Sequence, residues 1–153
     1  MILPNAWEKA IAIFEQYACD CVVFGWNDFT ADGKYPHAVT TEIQSIPAKE
    51  AMFQIASDNF KCGGGYPWNK IWNREKIVDR HSKVPLFDTE IYTYEDKLWI
   101  IETLKNLDSL VLIPDVLYDY RFVPTSLTQS ETAWKKRQFN AYDAYDKILN
   151  TLC

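Results

Sequence analysis

Basic charge is scarce in this sequence. Its 153 residues carry 16 Lys and Arg against 21 Asp and Glu, a formal net charge of −5. A duplex nucleic-acid binder needs a basic face to neutralise phosphates. The only concentrated basic run, Lys135-Lys136-Arg137, is too short to make one and reads as the solvated face of a helix. Nucleic acid is therefore not an expected partner. Histidine is rarer still, with His37 and His81 isolated, and the four cysteines, Cys19, Cys21, Cys62 and Cys153, contain no CxxC pair. No metal site is expected in this chain, and free thiols in a reducing cytoplasm are the simplest account of the cysteines. No stretch of about 18 apolar residues and no signal-peptide pattern occurs, so the segment is expected neither to span a membrane nor to be exported.

Apolar and aromatic residues are plentiful. Hydrophobic residues make up 48% of the chain and aromatic ones 15%, which is material for a real core. A single domain of this length buries roughly 70% of the surface its unfolded chain exposes, and a folded chain is expected. Most rings are expected in the core, yet their number raises the question of a ring-lined sugar or base site.

Patterning predicts helices and strands intermixed. Asn5 and Glu8 form a capping box ahead of Trp7, Ala10, Ile11 and Phe14 at helical spacing. Residues 20–26 read as a buried strand, and Asp28, Asp32-Gly33 and Pro36 as a loop or hairpin. Pro47 opens a second helix with Ala51 and Ile55. Gly63-Gly64-Gly65-Tyr66-Pro67 is the strongest break, followed by a helical segment near 74–78. Thr93 is the natural N-cap of a third helix whose apolar face is Ile100, Ile101, Leu104 and Leu107. Strands follow at 110–113 and 116–122, separated by Pro114-Asp115. Thr128 and Glu131 then cap a last helix with Trp134, Gln138, Ala141, Tyr145, Ile148 and Leu152 along one stripe. Few strands and no clean βαβ series predict an α/β or α+β-like fold, a small mixed sheet flanked by several helices.

Four short constellations could carry chemistry. Glu95-Asp96 falls in the first turn of the third helix, where acidic residues serve stability by offsetting the helix dipole. The same position suits a general base that takes a proton from a hydroxyl. The helix terminus would lower the Asp96 pKa, while Glu95 and desolvation by Tyr92, Tyr94 and Trp99 would raise it. Gly63-Gly64-Gly65 lacks a following Gly-Lys-Ser/Thr and reads as a turn and not a phosphate loop. Trp68-Asn69-Lys70 either places an indole and a cation in a site or is a strand alternating buried Trp with exposed Lys. In Tyr118-Asp119-Tyr120-Arg121, alternation puts both tyrosines on one side and Asp119 with Arg121 on the other, as a strand-edge ion pair or as an anion site near Ser126 and Thr128.

Taken in order, Gly65-x-x-Trp68-Asn69-Lys70-Ile71-Trp72-x-Arg74, Phe87 with Tyr94-Glu95-Asp96-Lys97, Ile113-Pro114-Asp115-x-Leu117-Tyr118-x-Tyr120-Arg121 and Ser126-Leu127-Thr128 resemble family 2 glycosyltransferases. The likeness is to bacterial enzymes that build cell-surface polysaccharide, and it spans nearly the whole chain, including the strand Asp20-Cys21-Val22-Val23-Phe24-Gly25. It implies a GT-A type fold, of which residues 1–153 would be the C-terminal, acceptor-side part. It also implies an inverting transfer from a sugar nucleotide to a glycan or lipid-linked acceptor. Asp96 would be the catalytic base and Glu95 would orient it or bind an acceptor hydroxyl. Tyr94, Trp68 and Lys70 would line the site, and Arg121 would reach the diphosphate.

The family's Asp-x-Asp element, which holds a divalent metal (Mg or Mn) on the leaving diphosphate, has no counterpart, since no two aspartates here are separated by one residue. The resemblance thus implies that the nucleotide-binding part and its metal belong to a longer parent, and that this chain is inactive alone. It implies a location in the cytoplasm at the inner face of the cell membrane, with any membrane contact made by parts outside the chain. Self-association through the surface left uncovered is a further expectation. The alternative is a non-catalytic carbohydrate-binding or protein-interaction module that reuses the fold. A hydrolase fits poorly, because adjacent carboxylates in one helical turn do not face each other across a scissile bond.

Overall fold

A computed structural model describes residues 1–58, 60–78, 83–121 and 131–153. The expected positions His81, Phe122, Ser126, Leu127 and Thr128 lie outside the described residues, as do the side chains of Glu131, Trp134 and Gln138. The chain folds as mixed α/β. Its elements are α1 (Ala6–Tyr17), β1 (Cys21–Thr30), β2 (Gly33–His37), β3 (Gln44–Pro47), α2 (Ala48–Ser57), β4 (Lys70–Trp72), α3 (Arg74–Ile77), α4 (Glu95–Leu104), β5 (Ser109–Arg121) and α5 (Glu131–Leu152), with single 3₁₀ turns at Lys61–Gly63 and Pro67–Asn69. The strands form one sheet in the order β2-β1-β5-β3, and β4 joins the outer edge of β1. Only β1 and β5 run parallel; β2, β3 and β4 are antiparallel to their neighbours.

Strand alternation divides the core between the two faces. Cys21, Val23, Leu110 and Leu112 join the side packed by α2, α4 and α5, while Val22, Phe24, Val111 and Ile113 join the side packed by α1. Such two-sided burial accounts for the unbroken apolar run at the start of β1. Asp20 ties the base of the sheet together. Its buried carboxylate accepts the backbone N–H groups of Asp108 at 2.6 Å and Ser109 at 3.2 Å, with the Lys76 ammonium 3.6 Å away.

Several local expectations are corrected. The Asn5 side chain makes no cap, because its backbone (φ −87°, ψ 2°) is already close to helical and not in the extended form that aims a capping oxygen. The face of α1 turned to the sheet is Ala6, Ala10 and Ile13, while Trp7 and Ile11 are 57% and 54% exposed. Small residues let this helix lie close to the strands, and the larger ones face outward. The segments at 110–113 and 116–121 are one continuous strand. Pro114 and Asp115 sit where the pairing with β1 slips, between Leu112 opposite Val23 and Val116 opposite Gly25, a bulge that accommodates the missing proline donor. Leu107 is buried just beyond the end of α4. In α5 the packed stripe is centred on Ala144 and Ile148, with Tyr145 and Leu152 beside them.

Candidate functional site

The β1–β2 hairpin and the upper half of β5 place their side chains by register. Trp26 stands opposite His37 on one side and Tyr118 on the other, and Asp28 opposite Tyr35 and Tyr120. Cross-strand partners share a face. This assembles Trp26, Asp28, His37, Tyr118 and Tyr120 from three strands. Trp68, delivered by the 3₁₀ turn before β4, packs into the group. It stacks on Tyr118 at 4.9 Å and on Tyr66 at 5.1 Å, lies 5.1 Å from Tyr120, and meets Trp26 edge-on at 5.4 Å. Trp26 and His37 are themselves stacked, 5.2 Å apart.

Tyr66 joins this ring cluster to a second feature. A pocket of about 90 Å³ is lined by Gly65, Tyr66, Tyr94, Asp96 and Lys97. Asp96 is half-buried there at the start of α4. Burial raises its pKa from the ordinary value, Glu95 adds to the rise, and its own backbone N–H and the Lys70 ammonium oppose it. The opposing effects foreseen from sequence are thus resolved in favour of burial. Burial likewise raises the Tyr66 phenol, with the Asp96 carboxylate the next cause and Asp28 a smaller one. Tyr66 therefore lies within electrostatic reach of carboxylates from both α4 and the hairpin.

The entry to α4 differs from expectation. Tyr94, not Thr93, is the residue before the helix, and it adopts the left-handed conformation at φ 63°. This is uncommon for a residue with a side chain, and such backbones gather at functional sites. The Tyr94 ring is held edge-on to Tyr145 at 5.3 Å, and the Lys97 ammonium lies 5.3 Å from its centroid. The Thr93 hydroxyl is buried and finds no hydrogen-bond partner among the described residues.

Lys70 does not take the exposed position that one of its two sequence readings gave it. It is buried, and its ammonium donates to the carbonyls of Gly63 (3.2 Å), Gly64 (2.8 Å) and Tyr66 (2.9 Å) and to Asn69 Oδ1 (3.0 Å). Burial pushes its pKa down to about 8. It pins the glycine-rich loop that carries Tyr66. Gly65 has no room for a side chain, since a Cβ there would lie 2.6 Å from Lys97 Cβ on α4.

Of the residues expected at a site, Asp96 and Tyr94 line the pocket. Glu95 is the next residue on the helix, partly buried and acting on Asp96 through charge. Trp68 stands behind Tyr66 and Lys70 beneath the loop. Arg121 is not with them. It pairs in register with Phe29, on the opposite face from Tyr118 and Tyr120, and borders a separate groove with residues 29–33. Its expected ion pair with Asp119 is replaced, because Asp119 is held by Lys34 and by Asn27 at 2.8 Å. Asp28 and His37 were not foreseen as neighbours. The His37 ring nitrogen Nε2 lies 2.8 Å from Asp28 Oδ2, and Trp26 Nε1 donates to Asp28 Oδ1 at 3.3 Å. The hairpin spacing was the signal that could have revealed them.

Among the described residues no group of three or more His, Cys, Asp or Glu side chains gathers where a metal ion could be held, and no helix is long and apolar enough to cross a membrane. No known family model matches the chain, and neither a curated protein nor a solved structure does.

Proposed function

We propose that this chain is the acceptor side of an inverting glycosyltransferase of GT-A type, with Asp96 as the catalytic base. The observation that supports this reading most is the placement of Asp96. A partly desolvated carboxylate at a helix start faces a small pocket, and the tyrosine on its wall continues into a cluster of tryptophan and tyrosine rings. A raised carboxylate pKa matches the need of a base that takes a proton from an alcohol, provided that it stays ionised at working pH. In the reaction, the acceptor O–H bond breaks as its proton passes to Asp96. The freed oxygen forms a bond to the anomeric carbon, and the bond from that carbon to the nucleoside diphosphate breaks on the opposite face. Glu95 keeps the local potential negative, and Lys70 holds the loop that positions Tyr66.

The donor and the divalent metal that the resemblance implies would be held by a nucleotide-binding part outside these residues. Among the described residues no His, Cys, Asp and Glu side chains gather into such a metal site. By this reading the chain alone has no measurable affinity for UDP with manganese, and tight binding in calorimetry would contradict the placement. In the protein that joins both parts, Asp96→Asn is expected to lower transfer at least about a hundredfold and to leave donor binding intact. A fully active variant removes Asp96 from the role. The ring cluster does not itself require Asp96, which favours a non-catalytic carbohydrate-binding module as the second reading. Saccharide binding with no transfer in the joined protein would select it.

A further inference from the structure

The hairpin group of Trp26, Asp28 and His37 has no part in the proton transfer, yet its geometry is that of a recognition element. Asp28 is fixed from two sides, through Oδ1 by the Trp26 indole and through Oδ2 by the His37 ring. Each oxygen keeps acceptor capacity beyond these bonds, and the side chains of Asp28 and His37 are 42% and 46% exposed. An oriented carboxylate beside aromatic faces suits a pyranose ring, whose hydroxyls donate to the oxygens while its C–H face lies on a ring. Tyr120, 39% exposed and opposite Asp28 in register, extends the same face.

Carboxylates outnumber ammonium groups along this face. Asp28, Glu95 and Asp96 stand against Lys97 on the pocket wall and Lys70 beneath the loop, whose ammonium groups bond neutral oxygens and keep their charge, while Lys34 is paired with Asp119 on the opposite face. An anionic sugar would meet an excess of like charge there, whereas a neutral or amino sugar would not.

We infer that the Trp26–Asp28–His37 group is the specificity-determining rim of a saccharide site running past Tyr66 to Asp96, selective for neutral or amino saccharides over uronic acids. This deepens, and rests on, the reading of the Asp96 pocket as an acceptor site. Asp28 is a binding residue in this scheme and His37 a positioning residue that holds its rotamer.

The test is calorimetry or saturation-transfer NMR on the chain with three probes of equal length: a chito-oligosaccharide, its deacetylated form and an oligogalacturonide. The first two are expected to bind at least about tenfold more tightly than the third, and Asp28→Asn to weaken them about tenfold. His37→Ala, which frees the Asp28 rotamer, is expected to weaken them by a smaller factor, and His37→Gln to recover part of the loss; a melting curve for each variant checks folding. Equal or tighter binding of the oligogalacturonide, no binding of any probe, or unchanged affinity in folded Asp28→Asn overturns the rim. Asp96→Asn separates the two readings, because it is expected to keep saccharide binding. Loss of transfer by Asp96→Asn in the protein that joins both parts, with no effect of Asp28→Asn on saccharide binding, leaves the base and removes the rim; the reverse pattern leaves the rim and removes the base.

Discussion

Asp96 shows how one carboxyl can weaken the fold around the pocket it lines. Burial raises its pKa in the folded state, so between the unfolded and folded values the native state binds more protons than the unfolded chain. Stability therefore falls as pH rises through that window. At neutral pH the ionised group opposes folding, and below the ordinary carboxylate value of about 3.9 it does not. Asp96→Asn is expected to melt above the parent chain at pH 7, with the difference vanishing at pH 3; thermal melts across pH check this. Thr93 supplies a second residue-level test. Were it the helix cap that its sequence position suggests, Thr93→Val would destabilise the protein. Its hydroxyl instead has no partner among the described residues, so replacing it by a methyl of similar shape is expected to stabilise by about 1 kcal/mol in urea denaturation.

The elements hold the site through contacts that leave no spare volume. The glycine-rich loop and α4 approach so closely at Gly65 and Lys97 that an added methyl must displace one of them. Gly65→Ala is expected to cost about 1–3 kcal/mol, measured by denaturant unfolding. The loop is held from below by Lys70, a side chain that one of the two sequence readings placed in solvent. Sequence pattern located the break at Gly63-Gly64-Gly65; of the strand read as one possibility from Trp68, only Lys70–Trp72 forms, and Trp68 lies in the 3₁₀ turn before it. The pattern could not show that the strand's lysine turns inward, because the carbonyls that receive it come from the loop's own folded path. The caps failed for a related reason. Asn5 and Thr93 have suitable side chains, but the backbone at each entry takes a different course, and capping depends on φ and ψ as much as on residue type.

Across the whole molecule, β1 and β5 form the parallel centre of the sheet and are covered on both sides. Cysteine reactivity reports this burial. Cys19, Cys21 and Cys62 are buried and Cys153 is exposed; burial pushes the thiols of Cys19 and Cys21 up and that of Cys62 up to about 11. A thiolate is the reactive form, so one thiol is expected to react rapidly with a chromogenic disulfide in native buffer and three more only on unfolding. Two or more fast thiols in native buffer would contradict the burial of Cys19, Cys21 and Cys62.

Local composition and period were enough to place the helices, the start of β1 and most of β5, the mixed α/β class, the turn after β1 and Tyr118 with Tyr120 on one face, because each depends on neighbours within a few residues; β3 left no such signal. The partners of those elements were not legible. Trp7 and Ile11 face outward, Arg121 faces away from Asp96, and Asp28 meets His37, because these outcomes depend on which surface each strand or helix meets. That meeting is set by close packing between segments distant in sequence. Asp96 illustrates the division: its place at a helix start could be read from the chain, whereas the burial that raises its pKa and the rings beside it come from the tertiary fold.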